Sequence, residues 1–195
     1  HKITLPVIYT KECTKIFPVF IKPDCMYGAQ GARKINSKVE LDALSIDYDE
    51  YVVSEYLPGN EFTVECFCTK KEGVQYAQAR TRERIRMGTS MHCQIADEEV
   101  QVQALQMAQI IFEELKIDGL WFFQVKYNSK NELALLEIES RVAGTMAFSR
   151  AMGINLPLIY LYYSEGLKID ISNQNYVIEM DRSLTNRYKT NIDYE

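Results

Sequence analysis

The stretch Glu132–Thr145, ELALLEIESRVAGT, decides how the rest of the chain is read. Leu133, Leu135, Leu136 and Ile138 make a short apolar run that reads as a buried strand. Glu137 and Glu139 stand two apart on it, and because side chains alternate along a strand, both project from one face. Two carboxylates side by side on an apolar strand repel each other and lose hydration unless a cation lies between them. Solvated acids are one reading, although a solvated edge rarely carries so many leucines. The other is a divalent ion shared with a polyphosphate, a role that suits hard carboxylate oxygens. Arg141 follows, and Ala143, Gly144 and Thr145 open a tight turn.

Upstream, Leu5–Thr10 is a short extended segment containing a proline, and FPVFIKP (Phe17–Pro23) is a strand that stays apolar up to Lys22. Pro23 ends its pairing pattern. Lys22 is either an ordinary strand-end lysine or a cation at the mouth of a site. In the following DCMYGAQGARKI, Gly28 and Gly31 make a small-residue loop, with Lys22 before it and Arg33 and Lys34 after it. Glycines let backbone N–H groups approach an anion closely, and the flanking cations add complementary charge. The spacing matches neither standard glycine-rich phosphate motif, and a hairpin turn explains two glycines equally well.

Asn36 and Ser37 are expected to cap a short helix ending at Leu44, with Glu40 in its first turn. Tyr51–Leu57 reads as a strand, Pro58-Gly59 as a turn, and Glu61–Thr69 as an alternating strand. A hairpin at Lys70–Gly73 leads into VQYAQART. The segment ARTRERIRMGTS places Arg80, Arg82, Arg84 and Arg86 at every second position. On an extended chain they line one face, as an anion-binding wall or as solvated protection of a sheet edge.

A helical stripe runs through Glu98–Lys116 with Val102, Leu105, Met107, Ala108, Ile111, Phe112 and Leu115 on its apolar face. The aromatic strand LWFFQVKYN holds Gln124 among Trp121, Phe122, Phe123 and Val125, where a polar amide needs a partner. Asn128–Asn131 turns the chain into the acidic strand. Two helical stretches, about 143–152 and 156–164, precede a last strand at Val177–Met180 and a polar tail expected to fray.

With 195 residues, 47% hydrophobic and 25% charged, the chain suffices for one ordinary domain or two small lobes. A net charge of -5 argues against a general nucleic-acid or membrane-surface role. No apolar run approaches the length that spans a bilayer, and the opening residues carry no signal-peptide pattern. Cys66 and Cys68 share a strand face, but no second pair completes a zinc site, and only two histidines are present. Free thiols in a reducing cytoplasm are expected.

Taken together and in order, these pieces resemble the ATP-grasp superfamily, most of all the branch similar to the carbamoyl-phosphate synthetase large subunit, over about 5–166. The resemblance implies an α+β ATP-grasp fold: a small lid lobe over 15–54, a larger, mainly antiparallel lobe over 55–182, and nucleotide between them. It implies that Lys22 contacts the ATP phosphates and that the loop with Gly28 and Gly31 closes over them. In the hinge EYLPGNEFTVE, the backbone at Glu55, Tyr56 and Leu57 would read the adenine edge and the Glu61 carboxylate would take the ribose hydroxyls. Gln124, Glu137 and Glu139 would hold magnesium, or manganese in its place, between phosphates. Arg141 would orient the acceptor, and one of Arg80, Arg82 or Arg84, with Arg82 taken as the candidate, would supply another phosphate cation.

The sequence departs from the family pattern at Met26, where another glycine is common, at Gln30, near where serine is frequent, and at Glu139, where asparagine is the commoner choice. A preceding domain and one upstream basic residue are also missing, so a longer protein or a completing subunit is expected, as a partner domain or a homodimer. The isolated chain is then expected to bind ATP weakly and turn it over little. The implied activity is an ATP- and magnesium-dependent ligase that activates a carboxylate as an acyl phosphate for capture by an amine. Alternatives are carbamoyl-phosphate formation from bicarbonate, and a nucleotide-binding fragment or pseudoenzyme without activity of its own. Small-molecule carboxylates and amines are the expected partners, with neither nucleic acid nor membrane involved.

Overall fold

The computed structural model describes all residues except 1, 12, 13, 15, 27, 28, 87, 173–176, 184, 185 and 191–195. The chain forms two compact units, a smaller one of residues 4–59 and 126–136 and a larger one of 1–3, 60–125 and 137–195.

In the smaller unit, β1 (Val19–Pro23) lies between β2 (Arg33–Ile35) and β3 (Tyr51–Glu55), antiparallel to both. Helix α1 (Lys38–Ala43) starts where the Ser37 hydroxyl accepts from the Glu40 N–H at 3.2 Å, while Glu40 Oε2 accepts from the Asn36 N–H at 2.8 Å. This is the cap that the sequence predicts, and it satisfies helix donors that lack partners within the helix. Val19, Ile21, Ile35, Leu41 and Val53 form the core, joined by Tyr9 and Phe17. Alternation therefore sends the odd residues of β1 inward and leaves Phe20 and Lys22 on the opposite face. β2 escapes a pattern search because two of its three residues are charged and only Ile35 is buried. The segment Leu5–Thr10 is extended, as expected, with Ile8 bridged to Ser54.

The larger unit contains β4 (Glu61–Thr69), β5 (Gly73–Thr81), β6 (Arg84–Arg86), β7 (Thr89–Gln94), α2 (Glu98–Leu115), α3 (Ala147–Ala151), α4 (Leu156–Ser164), β10 (Val177–Arg182) and β11 (Asn186–Thr190). Strands β8 (Gly119–Tyr127) and β9 (Leu133–Glu139) begin in one unit and end in the other. Strand order is β5-β4-β8-β9 in one sheet and β11-β10-β7-β6 in the second. The architecture is the expected α+β one, with antiparallel pairing in every register resolved.

Several local expectations change. β4 is not an alternating strand: all but Glu61 is buried, because α2 packs on β4 and β5 and the strand is interior to its sheet. The α2 stripe is rotated from the expected one. Val100, Ala104, Met107, Ala108, Ile111 and Phe112 are buried, whereas Val102, Leu105 and Leu115 are exposed. Small Ala104 allows close approach to the sheet, and Gln101 completes the contact. Its side chain accepts from the Ala79 N–H at 3.0 Å and donates to the Ala79 carbonyl at 2.7 Å, covering the open edge of β5. Residues 143–146 form a turn before the short α3 rather than helix. The tail expected to fray instead pairs with β10 through Asn186–Thr190. No helix among the described residues is long and apolar enough to cross a membrane.

Candidate functional site

In the smaller unit, Lys22 is exposed on the free face of β1 and pairs across the sheet with Val52. Gly28 lies outside the described residues. Gly31 has φ +72°, and a Cβ there would stand 2.9 Å from Pro23 Cγ. The loop thus folds back onto the residue after Lys22, an approach open only to glycine. Glu55 closes β3: its N–H donates to the Val7 carbonyl at 2.8 Å. Tyr56 is half-buried and Leu57 is buried. The Pro58-Gly59 turn is pinned by the Gly59 N–H, which donates to the Tyr127 carbonyl at 3.0 Å. A Cβ at Gly59 would stand 2.4 Å from Tyr127 Cβ, so glycine here answers to a close backbone approach as well as to the turn.

In the larger unit, Glu61 and Arg82 form one assembly. Arg82 Nε donates to Glu61 Oε1 at 2.6 Å, Nη1 to Thr63 Oγ1 at 3.2 Å and Nη2 to the Gly88 carbonyl at 2.9 Å. The Arg82 side chain is 8% exposed, so it acts on the carboxylate beside it rather than standing as a free cation. The expectation that four arginines line one face is overturned. Arg80 is buried, Arg82 is tied down, and the chain leaves β5 before Arg84 and Arg86, which are exposed on β6.

Arg80 belongs to a buried polar cluster. Its Nη1 donates to Glu65 Oε2 at 2.7 Å and its Nε to Thr145 Oγ1 at 2.8 Å, while the Ser149 hydroxyl donates to the same Glu65 oxygen at 2.6 Å. Tyr76 donates to Gln78 Oε1 at 2.8 Å beside them. Burial by itself lowers the guanidinium pKa, but the Glu65 charge and hydrogen bond outweigh it, so the net shift is upward and Arg80 stays charged. Burial pushes the Tyr76 hydroxyl up to about 12, against the opposing Ser149 hydrogen bond. The cluster was missed in the sequence, although a signal was available. An acid in the interior of an apolar strand demands a cation, and the hairpin register (Thr63 opposite Arg80, Glu65 opposite Gln78) makes Glu65 and Arg80 diagonal neighbours.

Glu137 and Glu139 are partly buried at the end of β9, and Gln124 is partly buried on β8, the adjacent strand. Arg141 is exposed, with Nε 3.4 Å from Glu139 Oε2 and its guanidinium carbon 4.9 Å from the centre of the Phe122 ring. The turn beneath it is held by Thr145, through Arg80, and by Gly144, whose carbonyl accepts from Arg182 Nη2 at 2.8 Å. No group of three or more His, Cys, Asp or Glu side chains among the described residues is placed to hold a metal. Two carboxylates and an amide make no all-protein cage. They fit an ion such as magnesium, which takes one or two carboxylates and completes its shell with phosphate oxygens and water.

The described thiols contribute no metal site. Cys66, Cys68 and Cys93 are buried and unbridged, and Cys25 is exposed. Burial pushes Cys68 and Cys93 to about 11, with Trp121 donating to Cys68 Sγ at 3.0 Å and opposing that shift.

The paired sheets, the glycine-dependent loop and the acidic strand define an ATP-grasp protein. Residues 47–191 match the family described as ATP-grasp in the biosynthetic pathway with Ter operon, and the chain belongs to that family. Among solved structures, N5-carboxyaminoimidazole synthetase from Staphylococcus aureus, complexed with ADP, is similar with TM-score 0.76 at 15% identity, over 92% of this chain and 52% of that one. A biotin carboxylase–ATP complex from Campylobacter jejuni gives 0.73 at 13% identity, over 92% and 47%. The L-amino acid ligase from Bacillus licheniformis gives 0.66 at 14%, over 92% and 49%. At such identities the likeness is one of fold, and the chain spans about half the length of each structure. No protein with a curated function matches. The nearer likeness to carbamoyl-phosphate synthetase expected from sequence is not among these findings.

Proposed function

We propose that this chain is the nucleotide-binding and phosphoryl-transferring part of an ATP- and magnesium-dependent ligase that joins a carboxylate to an amine. The observation that carries the reading is β9, with two acids on one face at the strand end and the Arg141 guanidinium beside Glu139. The fold-level neighbours support it, since one was solved with ADP and another is an amino-acid ligase.

In this reading the backbone of Glu55, Tyr56 and Leu57 receives the adenine edge, and Glu61 accepts from the ribose hydroxyls. Arg82 holds Glu61 Oε1 and so fixes the direction in which the carboxylate is presented. Lys22 and the loop of Gly28 and Gly31 receive phosphates by charge and by close backbone N–H groups. Gln124, Glu137 and Glu139 hold magnesium, which neutralises charge on the phosphates when bound. Arg141 orients the acceptor carboxylate, a bidentate partner for its planar fork. A carboxylate oxygen attacks the γ-phosphorus and ADP departs, leaving an acyl phosphate. An amine then attacks the acyl carbon, phosphate leaves, and the nitrogen loses its proton. The work of the protein is positioning and charge neutralisation.

The test incubates the full-length protein with ATP and magnesium against pools of carboxylates and amines, following ADP and phosphate release. Release that requires both a carboxylate and an amine is expected. Bound Mg·ATP with no release above background in any pool ends the ligase reading.

A further inference from the structure

The lysines of the smaller unit's sheet stand on one face. Phe20 of β1 is opposite Lys34 on one side and Ser54 on the other, and Lys22 is opposite Val52. Directly opposed residues share a face, so these five lie together, away from the core of Val19, Ile21, Ile35, Leu41 and Val53. None of the five is acidic. Both lysines are exposed, and among the described residues neither has a carboxylate at ion-pair distance. Instead, Lys34 Nζ lies 4.5 Å from the centre of the Tyr56 ring. Because β2 and β3 flank β1, this contact joins a residue of β2 to the residue that follows β3, on the far side of the middle strand.

The antiparallel register gives the face a direction. Glu55 is opposite Val19 and Tyr51 is opposite Pro23, so the Glu55–Leu57 end lies at the start of β1 and the glycine loop at its end. Lys34, leaning on Tyr56, is at the first end. Lys22 is two residues beyond Phe20 towards the other, about 7 Å further along the strand.

Building on the nucleotide reading above, we infer that Lys34, seated on the Tyr56 ring, contacts the nucleoside end of the bound nucleotide, while Lys22 serves the phosphate end. An ammonium held over an aromatic ring keeps donors free for purine nitrogens or ribose hydroxyls, and a base presents the same kind of π face that already holds it.

Calorimetric titration of the full chain with AMP, ADP and ATP in magnesium decides this. Lys34→Gln is expected to weaken all three by a similar factor, about tenfold, equivalent to one charge-assisted contact. Lys22→Gln is expected to spare AMP and to weaken ADP and ATP progressively. Wild-type affinity in Lys34→Gln overturns the inference, as does a loss that grows from AMP to ATP, which makes Lys34 a phosphate cation. Failure of the unaltered chain to bind any of the three is a different result, and it removes the nucleotide reading itself. Lys34 is exposed, so its substitution leaves folding unchanged and the comparison clean.

Discussion

Arg80 and Lys22 are both cations on strands, one on the edge strand β5 and one on the central strand β1 of its sheet, and the fold treats them oppositely. Arg80 of β5 is enclosed with Glu65, Thr145 and Ser149 and is 1% exposed. Lys22 of β1 is exposed, and among the described residues no carboxylate lies at ion-pair distance from it. The first charge is paired within the chain, with only Arg80 Nη2 and Glu65 Oε1 of the pair left without a hydrogen bond, and it ties β4, β5 and the turn after β9 together. The second is the cation that we propose meets the phosphates of a bound nucleotide. Burial and partners, more than the residue type, separate a structural cation from a binding one.

The largest effect should come from breaking the enclosed pair. Arg80→Ala leaves the Glu65 carboxylate buried without its counter-charge, and urea unfolding should show a loss of about 3–5 kcal/mol. The double change Glu65→Leu with Arg80→Met should recover much of it, since an apolar pair of similar volume removes the stranded charge. A cost below about 1 kcal/mol for Arg80→Ala, as for a solvated pair, would erase the contrast.

Next is Glu137→Ala, which should abolish magnesium-dependent ATP turnover while leaving the melting temperature nearly unchanged. A lost metal ligand forfeits charge neutralisation worth several kcal/mol, roughly a hundredfold or more in rate. Glu139→Asn should be milder, because an amide oxygen remains. Wild-type turnover in Glu137→Ala makes β9 a structural strand like β4.

The open side of the comparison is sharpened by Lys22→Gln. Stability should stay within about 0.5 kcal/mol, while ATP affinity by calorimetry falls roughly tenfold to a hundredfold. A stability loss without an affinity loss would reverse the assignment of the two cations.

The smallest effect is alkaline. Burial raises Cys68 and Cys93 to about 11 in the folded chain, whereas an unfolded thiol titrates near ~8.5. The folded values are the higher ones, so this contribution is complete below roughly 8.5 and is lost as pH rises towards the folded values. Melting temperature should fall across that window, and Cys68→Ala should flatten the fall. Among the described thiols, Cys25 should be the first labelled by a thiol reagent at neutral pH, because it is exposed.

Glu137 and Glu139 show how much of the candidate site was legible, because their shared face follows from strand alternation within three residues. The same locality made the Ser37–Glu40 cap readable: donor and acceptor lie within one turn. Arg82 was legible only as a charge, because its pairing with Glu61 spans 21 positions and exists once β4 and β5 are in register. The strands β2, β6 and β7 were missed for a related reason: their side chains carry little apolar pattern and their pairing partners define them.

By itself, then, the sequence determined the order of most elements, the loop that needs glycine and the strand that bears paired acids. Each of these follows from steric limits or side-chain periodicity over a few neighbouring residues. Only the tertiary structure decided that α2 buries Val100 and Ala104 rather than Val102 and Leu105, that Arg80 is enclosed, and that the Lys34 ammonium meets the Tyr56 ring. These depend on which strands become neighbours and which face a helix covers. Such contacts join residues far apart in the chain, and their energies act only after the intervening loops have closed.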